Sequence, residues 1–346
     1  MAKVNLRNLS LREIENLILS LGKERYRAQQ IMKCLYHQGA NSFDEMTTLA
    51  RDFRFKLTEI AEISHPEIIK IQTSRDGTKK IVFQLEDGGL VESVLIPGKK
   101  HWTACLSTQV GCRMGCKFCL TGTKGLQRNL EPAEITGQLT GLKFQTPEGP
   151  DINNIVLMGM GEPLDNYDNV LKAITIITSD PGPGFSNRKL TLSTCGLAPL
   201  IGQLGKDISI NLAVSLNASD NKTRSALMPV NNKYPLEVLL AACRDYPMPG
   251  RRMLTFEYIL MAGINDSPAD AEKLAHLLKG VHCKLNLIAF NEFPAAPFRT
   301  PKLEDIRNFQ QVLLKQHYTV ILRASKGSDI LAACGQLSGQ ASEQNP

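Results

Sequence analysis

The chain has 346 residues, 42% hydrophobic and 21% charged, the balance of a soluble globular protein with enough apolar material for a real core. It contains no apolar run of membrane-spanning length and no N-terminal pattern of a secretory signal, so the expectation is a cytoplasmic protein with no membrane association. A net charge of +6 permits an anionic partner, and nine cysteines in a reducing compartment point to metal or catalytic use rather than disulfide stapling.

Residues 1–65 read as a small helical accessory domain. Ser10-Leu11-Arg12-Glu13 is a capping-box pattern, in which serine and glutamate satisfy the first free backbone amides of a helix. Leu11, Ile14, Leu17, Ile18 and Leu21 follow at helical spacing, and Gly22 offers a stop. A second helix is predicted from Ala28 to His37, closed by Gly39. Over residues 66–101 the pattern changes to a short β extension, with tight-turn signals at Asp76-Gly77 and Asp87-Gly88. Ile81, Phe83 and Leu85 share one strand face. Leu90, Glu92, Val94 and Ile96 share another, which sets the Glu92 carboxylate in an apolar row. Such a residue is ordinarily an edge charge; the exception is a base held in a dry site.

From residue 102 to 335 strands and helices alternate. Strand-like runs fall at Thr103–Thr108, Asn154–Met158, Lys189–Thr194, Ile210–Leu216, Leu254–Met261, Lys284–Phe290 and Tyr318–Arg323. Amphipathic stretches lie between most of them: Pro132–Phe144, Asn166–Thr178, Pro235–Tyr246, Pro268–Leu278 and Leu303–Gln316. This is the rhythm of a parallel α/β structure, and six or seven units fit an open or complete barrel, whose chemistry sits at the C-terminal strand ends. Residues 336–346 read as a flexible tail.

Directly after the first of these strands stands Gly111-Cys112-Arg113-Met114-Gly115-Cys116-Lys117-Phe118-Cys119. Three thiolates so spaced can wrap one face of a cubic iron–sulfur cluster and leave one iron open to an outside ligand, whereas electron-transfer clusters normally use four cysteines. The rival is a zinc knuckle, which needs a fourth ligand that the other, isolated cysteines do not offer by spacing. Between Glu92 and Glu131 no acid occurs, while Lys99, Lys100, Arg113, Lys117, Lys124 and Arg128 do. This is either a solvated face or a grip for a polyanion.

The cysteine motif at this place in an α/β barrel resembles the signature of the radical S-adenosylmethionine superfamily. The resemblance implies a partial (β/α)6-type, TIM-like barrel and a 4Fe-4S cluster on Cys112, Cys116 and Cys119. It implies that the open iron binds S-adenosylmethionine, and that one electron splits the sulfonium to methionine and a 5′-deoxyadenosyl radical. Met158-Gly159-Met160-Gly161-Glu162-Pro163 resembles the superfamily's GEP element, in which Gly161 and Glu162 engage the methionine ammonium.

A second layer of likeness is narrower. Ala104–Cys112, Asp329–Leu337, Arg25–Ile31 and Phe43–Thr47 resemble the RlmN/Cfr family of RNA methyltransferases over most of the chain, and the proline at Pro163 resembles the RlmN branch. What this implies is methylation of adenosine carbon 2 in the catalytic centre of 23S ribosomal RNA and beside the anticodon of certain tRNAs. Carbon 2 lies between two ring nitrogens, too electron-poor to attack a sulfonium methyl but able to accept a carbon radical. Two S-adenosylmethionine molecules are consumed per turnover. By the resemblance Cys334 becomes S-methylcysteine, Glu92 accepts the carbon 2 proton, and Cys105 releases the product by forming a transient disulfide with Cys334. Ser193, Ser215, Leu216, Asn217 and Asn291 are the implied S-adenosylmethionine contacts, with Asn217 standing where the family usually has histidine. Cys34, Cys195, Cys243 and Cys283 match no functional position and read as structural. The implied partners are RNA and an external flavodoxin- or ferredoxin-like electron donor, for a monomeric enzyme. The alternatives are a Cfr-like enzyme acting on adenine carbon 8, another radical S-adenosylmethionine enzyme, and a non-catalytic metal-stabilised RNA-binding protein.

Overall fold

The computed structural model describes residues 3–147, 149–248, 250–294 and 296–339. Near its start β1 (Val4–Asn5) lies beside a short strand before the β extension, β2 (Ala61–Glu62), and between them run α1 (Leu11–Ser20), α2 (Tyr26–His37) and α3 (Arg51–Ile60). The capping box of α1 is formed: Ser10 Oγ accepts the Glu13 amide, and Glu13 Oε2 accepts the Ser10 amide at 2.8 Å. Ile14 and Ile18 of α1 bury against Ile31, Met32 and Leu35 of α2 and Phe53 and Leu57 of α3. Helix α3 carries only a short apolar stripe and was not legible as a separate element. Arg7 ties this unit to the rest. Its fully buried guanidinium donates to the Thr140 hydroxyl at 3.1 Å, the Ala40 carbonyl at 3.1 Å and Asn41 Oδ1 at 3.3 Å.

The extension is an antiparallel meander of β3 (Glu67–Thr73), β4 (Lys79–Gln84) and β5 (Leu90–Pro97). Gly77 and Gly88 adopt positive φ at its two turns, the conformation those turns require. In the β4–β5 register Lys80 opposes Val94 and Val82 opposes Glu92, so Lys80 and Glu92 are diagonal neighbours on one face.

The core follows as β6 (Trp102–Cys105), β7 (Gln109–Cys112), α4 (Leu120–Thr123), β8 (Gly125–Asn129) and α5 (Pro132–Phe144). Next come β9 (Ile152–Leu157), α6 (Tyr167–Thr178), β10 (Leu190–Thr194), α7 (Ala198–Asp207), β11 (Asn211–Ser215), α8 (Asn221–Leu227) and α9 (Leu236–Asp245). The chain ends its regular structure with β12 (Leu254–Leu260), α10 (Pro268–Leu277), β13 (Cys283–Ala289), α11 (Leu303–Lys315) and β14 (Thr319–Arg323). Strands β6 and β9 to β14 are parallel and neighbour one another in chain order, and β5 joins antiparallel beside β6. One ten-stranded sheet thus carries both the barrel-type core and the extension. The buried residues of these strands are largely Val, Leu, Ile and Phe, while β9, β10 and β13 alternate them with half-buried residues and β14 has none that is fully buried. No helix among the described residues is long and apolar enough to cross a membrane.

One sequence expectation needs correction. Gln336–Gly339 is not the start of a loose tail. The Gln336 amide donates to the Glu292 carbonyl at 2.6 Å, the Leu337 carbonyl accepts from Thr121 Oγ1 at 2.6 Å, and the Ser338 carbonyl accepts from Lys124 Nζ at 2.8 Å. The remaining residues of the expected tail, 340–346, lie outside the described residues.

Candidate active site

The cysteine motif leaves β7, which pairs with β8 as a small hairpin apart from the main sheet, and runs into α4. Gly111 has positive φ, and a Cβ there would collide with the Gly125 carbonyl, so only glycine fits the turn out of the hairpin. Backbone bonds then fix the loop: Lys117 N–H to the Leu227 carbonyl at 2.9 Å, and Leu120 N–H to the Gly335 carbonyl at 2.7 Å. Cys112, Cys116 and Cys119 line one cavity of about 140 Å³, together with Glu162, Ser193 and Ser215. Burial pushes all three thiols up, Cys112 to about 12, and their mutual proximity adds to the rise at Cys112 and Cys116. Among the described residues no three Cys, His, Asp or Glu side chains converge on a point suited to a single ion. The three cysteines line one cavity wall beside Glu162, a set of soft thiol donors of the kind that iron–sulfur groups take.

The second strand end supplies the GEP turn. Gly159 and Gly161 are packed against Ser107 and Gln109, where a Cβ would come within 2.6 Å of either side chain. The Met160 amide donates to Ser107 Oγ and the Glu162 amide to Gln109 Oε1, both at 2.8 Å, so the turn is latched to the loop that leads into the cysteines. Glu162 is buried, accepting from Leu164 N–H at 3.1 Å and Cys195 N–H at 2.7 Å. Burial raises its pKa, and these hydrogen bonds oppose the rise.

A second cavity, of about 110 Å³, holds Cys105 and Cys334 with Asn291 and Arg323. Cys119, Cys334, Gly159 and Gly335 line both cavities, so the two are one recess with Cys334 at the join. Asn291 donates to the Cys334 carbonyl at 3.1 Å, and Gly335 takes positive φ beside it. Burial pushes Cys105 up to about 12 and the Cys334 charge adds to it, while the Arg323 guanidinium pulls both thiols down. Arg323 itself is raised, first by Cys334 and also by Glu257 and Cys105. Glu257 accepts from Ser193 Oγ at 3.1 Å and stands 3.7 Å from Arg323, at ion-pair rather than hydrogen-bond distance.

Three sequence-predicted residues stand outside this recess. Glu92 lines neither cavity; it is fully buried under Ser338 and Gly339, beside Lys80. Leu216 is buried, with its backbone bonded to Glu257 and Arg224. Asn217 is buried at φ +59°, its Oδ1 accepting the Ile259 amide at 2.8 Å and its amide group directed to Met228 sulfur. Asparagine, like histidine, tolerates this left-handed conformation, so the residue type answers a backbone need and the side chain does not face the cavity.

Sequence reasoning missed several residues. Cys195, read as structural, lines the same cavity as the three motif cysteines. Glu257 and Arg323 sit on strands as isolated charges with no local signal. Arg224 of α8 is fully buried and donates to the carbonyls of Leu216, Cys195 and Ser215, stapling the loops after β10 and β11 together. Burial lowers its pKa while the thiols of Cys195, Cys116 and Cys243 oppose this, so a cation stands close behind the cysteine cavity.

The basic stretch divides. Arg128 is held by Asp87 and Glu134, Arg113 by Asp165, and Lys124 by the Ser338 carbonyl. Lys99, Lys100 and Lys117 are exposed. On the expectation that the stretch grips an RNA polyanion, neutralising Lys99 and Lys100 together should weaken that binding and lower the slope of log affinity against log salt by about 2 on the counterion-release scale. Filter binding across a salt series checks this, and an unchanged slope removes these lysines from the RNA footprint.

Residues 4–63 match the family described as the ribosomal RNA large subunit methyltransferase N-terminal domain, and residues 106–278 match the radical SAM superfamily. The chain is 66% identical to a protein of Syntrophus aciditrophicus named dual-specificity RNA methyltransferase RlmN, over 99% of both chains. It is 51% identical to the protein of that name from Geobacter sulfurreducens, over 99% of this chain and 94% of the other. Among solved structures, the crystal structure of a radical SAM methyltransferase from Sphaerobacter thermophilus matches with a TM-score of 0.92 and 41% identity, over 97% of this chain and 100% of that one.

Proposed function

The chain belongs to the RlmN family of radical SAM methyltransferases, and from that premise we propose that it methylates carbon 2 of adenosine in 23S ribosomal RNA and in tRNA beside the anticodon. The observation that carries the proposal is the single recess in which Cys334 faces Cys112, Cys116 and Cys119 on one side and Cys105 on the other. Cys112, Cys116 and Cys119 would hold a 4Fe-4S cluster, which when bound with S-adenosylmethionine supplies the electron that splits the sulfonium and so yields a hydrogen-abstracting radical.

The chain's own groups do the rest. Glu162 and the glycines before it offer a buried carboxylate and close backbone approach to the methionine end, and Ser193, Ser215 and Asn291 stand further along the recess. Arg224 behind the cavity offsets thiolate charge. Cys334, as thiolate, takes a methyl from one S-adenosylmethionine: a sulfur–carbon bond forms as the sulfonium–methyl bond breaks. Its place at the join lets the methyl face the cluster side, where a second S-adenosylmethionine is consumed. The deoxyadenosyl radical takes one hydrogen atom from that methyl, and the resulting methylene carbon bonds to adenine carbon 2. Glu92 takes the carbon 2 proton, and the adduct's one unpaired electron passes back to the one-electron carrier that began the turnover. Cys105 then attacks Cys334 sulfur, so that a sulfur–sulfur bond forms, the sulfur–carbon bond breaks, and its electron pair stays with the methylene carbon, which takes up a proton to become the methyl. Arg323 faces both thiols and favours the anionic form each needs in turn.

An adenine must leave its stack to enter such a recess, which favours loops and opened helices over intact duplex. The disulfide left after each turnover and the sulfonium cleavage both need electrons, which a flavodoxin- or ferredoxin-like protein would deliver to a monomeric, cytoplasmic enzyme. The test is reaction of anaerobically reconstituted protein with ribosomal RNA fragments and tRNA, followed by identification of the product nucleoside. 2-Methyladenosine is expected; 8-methyladenosine would assign the Cfr-like activity instead, and zinc-bearing protein without turnover would leave only RNA binding.

A further inference from the structure

Leu90, Glu92, Val94 and Ile96 share one face of β5, but they do not share one environment. Val94 and Ile96 line the cavity that holds Cys105 and Cys334. Leu90 lines an open groove on the other side, together with Lys124, Ser338 and Gly339. Glu92 lies between the two, roofed by the C-terminal strap: Leu337 lines the inner cavity, and Ser338 and Gly339 line the outer groove. The strap's backbone holds the carboxylate directly, with Ser338 N–H at 2.6 Å and Gly339 N–H at 3.0 Å from Oε2.

The other oxygen has a different partner. Lys80 Nζ stands 3.2 Å from Oε1 as an ion pair without hydrogen-bond geometry, with 4% of Lys80 and none of Glu92 exposed. The same ammonium reaches the Leu331 carbonyl at 3.5 Å, three residues before Cys334. Lys80 and Glu92 are diagonal neighbours on paired strands, so their contact is built into the sheet register. The strap contact belongs to a segment with no ladder of its own, which can be displaced without breaking the sheet. An oxygen facing a buried cation is a poor place for an incoming proton, while one held only by two backbone amides is free once they move.

Resting on the reading of Glu92 as the base, we propose that Lys80 is a positioning residue that fixes the carboxylate by Oε1 and leaves Oε2 as the proton-accepting atom, which Ser338 and Gly339 cover until the substrate base displaces them. In the step itself the carbon 2–hydrogen bond breaks, its electron pair stays in the purine ring, and the proton goes to Oε2. Movement of the strap would also join the inner cavity to the outer groove, which opens the route by which an adenine reaches Cys334.

The experiment uses full-length enzyme already methylated on Cys334, with that methyl quantified by mass spectrometry as proof of a folded, loaded chain. Single turnover is measured on RNA carrying protium or deuterium at adenine carbon 2. Lys80→Met is expected to slow product formation about 10- to 100-fold, the scale of a misplaced general base. It should also raise the deuterium isotope effect above that of the unaltered enzyme, and Lys80→Arg should restore most of the rate. Lys80→Gln serves the same purpose should the methionine variant not load. A loaded Lys80→Met or Lys80→Gln enzyme with unaltered rate and isotope effect overturns the proposal while Glu92 stays the base. Unaltered turnover by Glu92→Gln overturns the reading of Glu92 itself.

Discussion

Cys334→Ala is expected to abolish RNA methylation, a fall of about 10⁴-fold or more, as for removal of a covalent nucleophile. The size of the effect follows from position. Cys334 lines both halves of the recess, and among the described residues it is the one thiol outside the CxxxCxxC motif that does so. Alanine removes the atom that carries the methyl but leaves the neighbouring backbone contacts, including the Asn291 bond to the residue 334 carbonyl, available to hold the segment. S-adenosylmethionine cleavage on reduction should therefore persist while transfer to RNA ceases. Tritium transfer from labelled S-adenosylmethionine measures the loss, and peptide mass analysis of the unaltered protein should find one methyl on Cys334. RNA methylation by the alanine variant would refute a protein-bound methyl carrier.

Cys116→Ala comes second in expected effect. Three ligands leave a cluster no spare, so the variant should lose most of its iron and sulfide after anaerobic reconstitution and its ability to cleave S-adenosylmethionine. Iron and sulfide analysis with visible spectra reads the first, and deoxyadenosine formation the second. The control is built into the site: Cys195 lines the same cavity, with its amide committed to Glu162. Full iron content in Cys116→Ala but not in a Cys116→Ala, Cys195→Ala double variant would show that a fourth thiol can replace a motif cysteine, and the three-ligand account would fall.

How much of this was legible beforehand depends on whether the signal was local. The CxxxCxxC spacing, the glycines around it and the GEP turn are local, because a tight loop must write its residue types side by side. The parallel strands were legible for a similar reason: each is a short run rich in Leu, Ile and Val between helical stretches, and β9 to β14 fall close to the expected stretches. Helix α7 was not found, since Pro199, Gly202 and Gly205 break its helical pattern, and the β7–β8 hairpin is too short to show alternation. Buried ions are the hardest case. Arg7, Arg224, Glu257 and Lys80 are each one charged letter among ordinary neighbours, and only the fold reveals their partners, as far away in sequence as Thr140 from Arg7 and Arg323 from Glu257. Asn217 shows the converse. A residue that read as a site contact has its side chain committed to the Ile259 amide and Met228, at a left-handed backbone position that a residue string does not display.

Arg7 also has a mechanical meaning. A guanidinium bolted at once to the loop after α2 and to a helix of the core leaves the N-terminal unit without a pivot. The span from those helices to the thiols is then a constant of the architecture. Any partner that rested on those helices would meet the reaction centre across that set span.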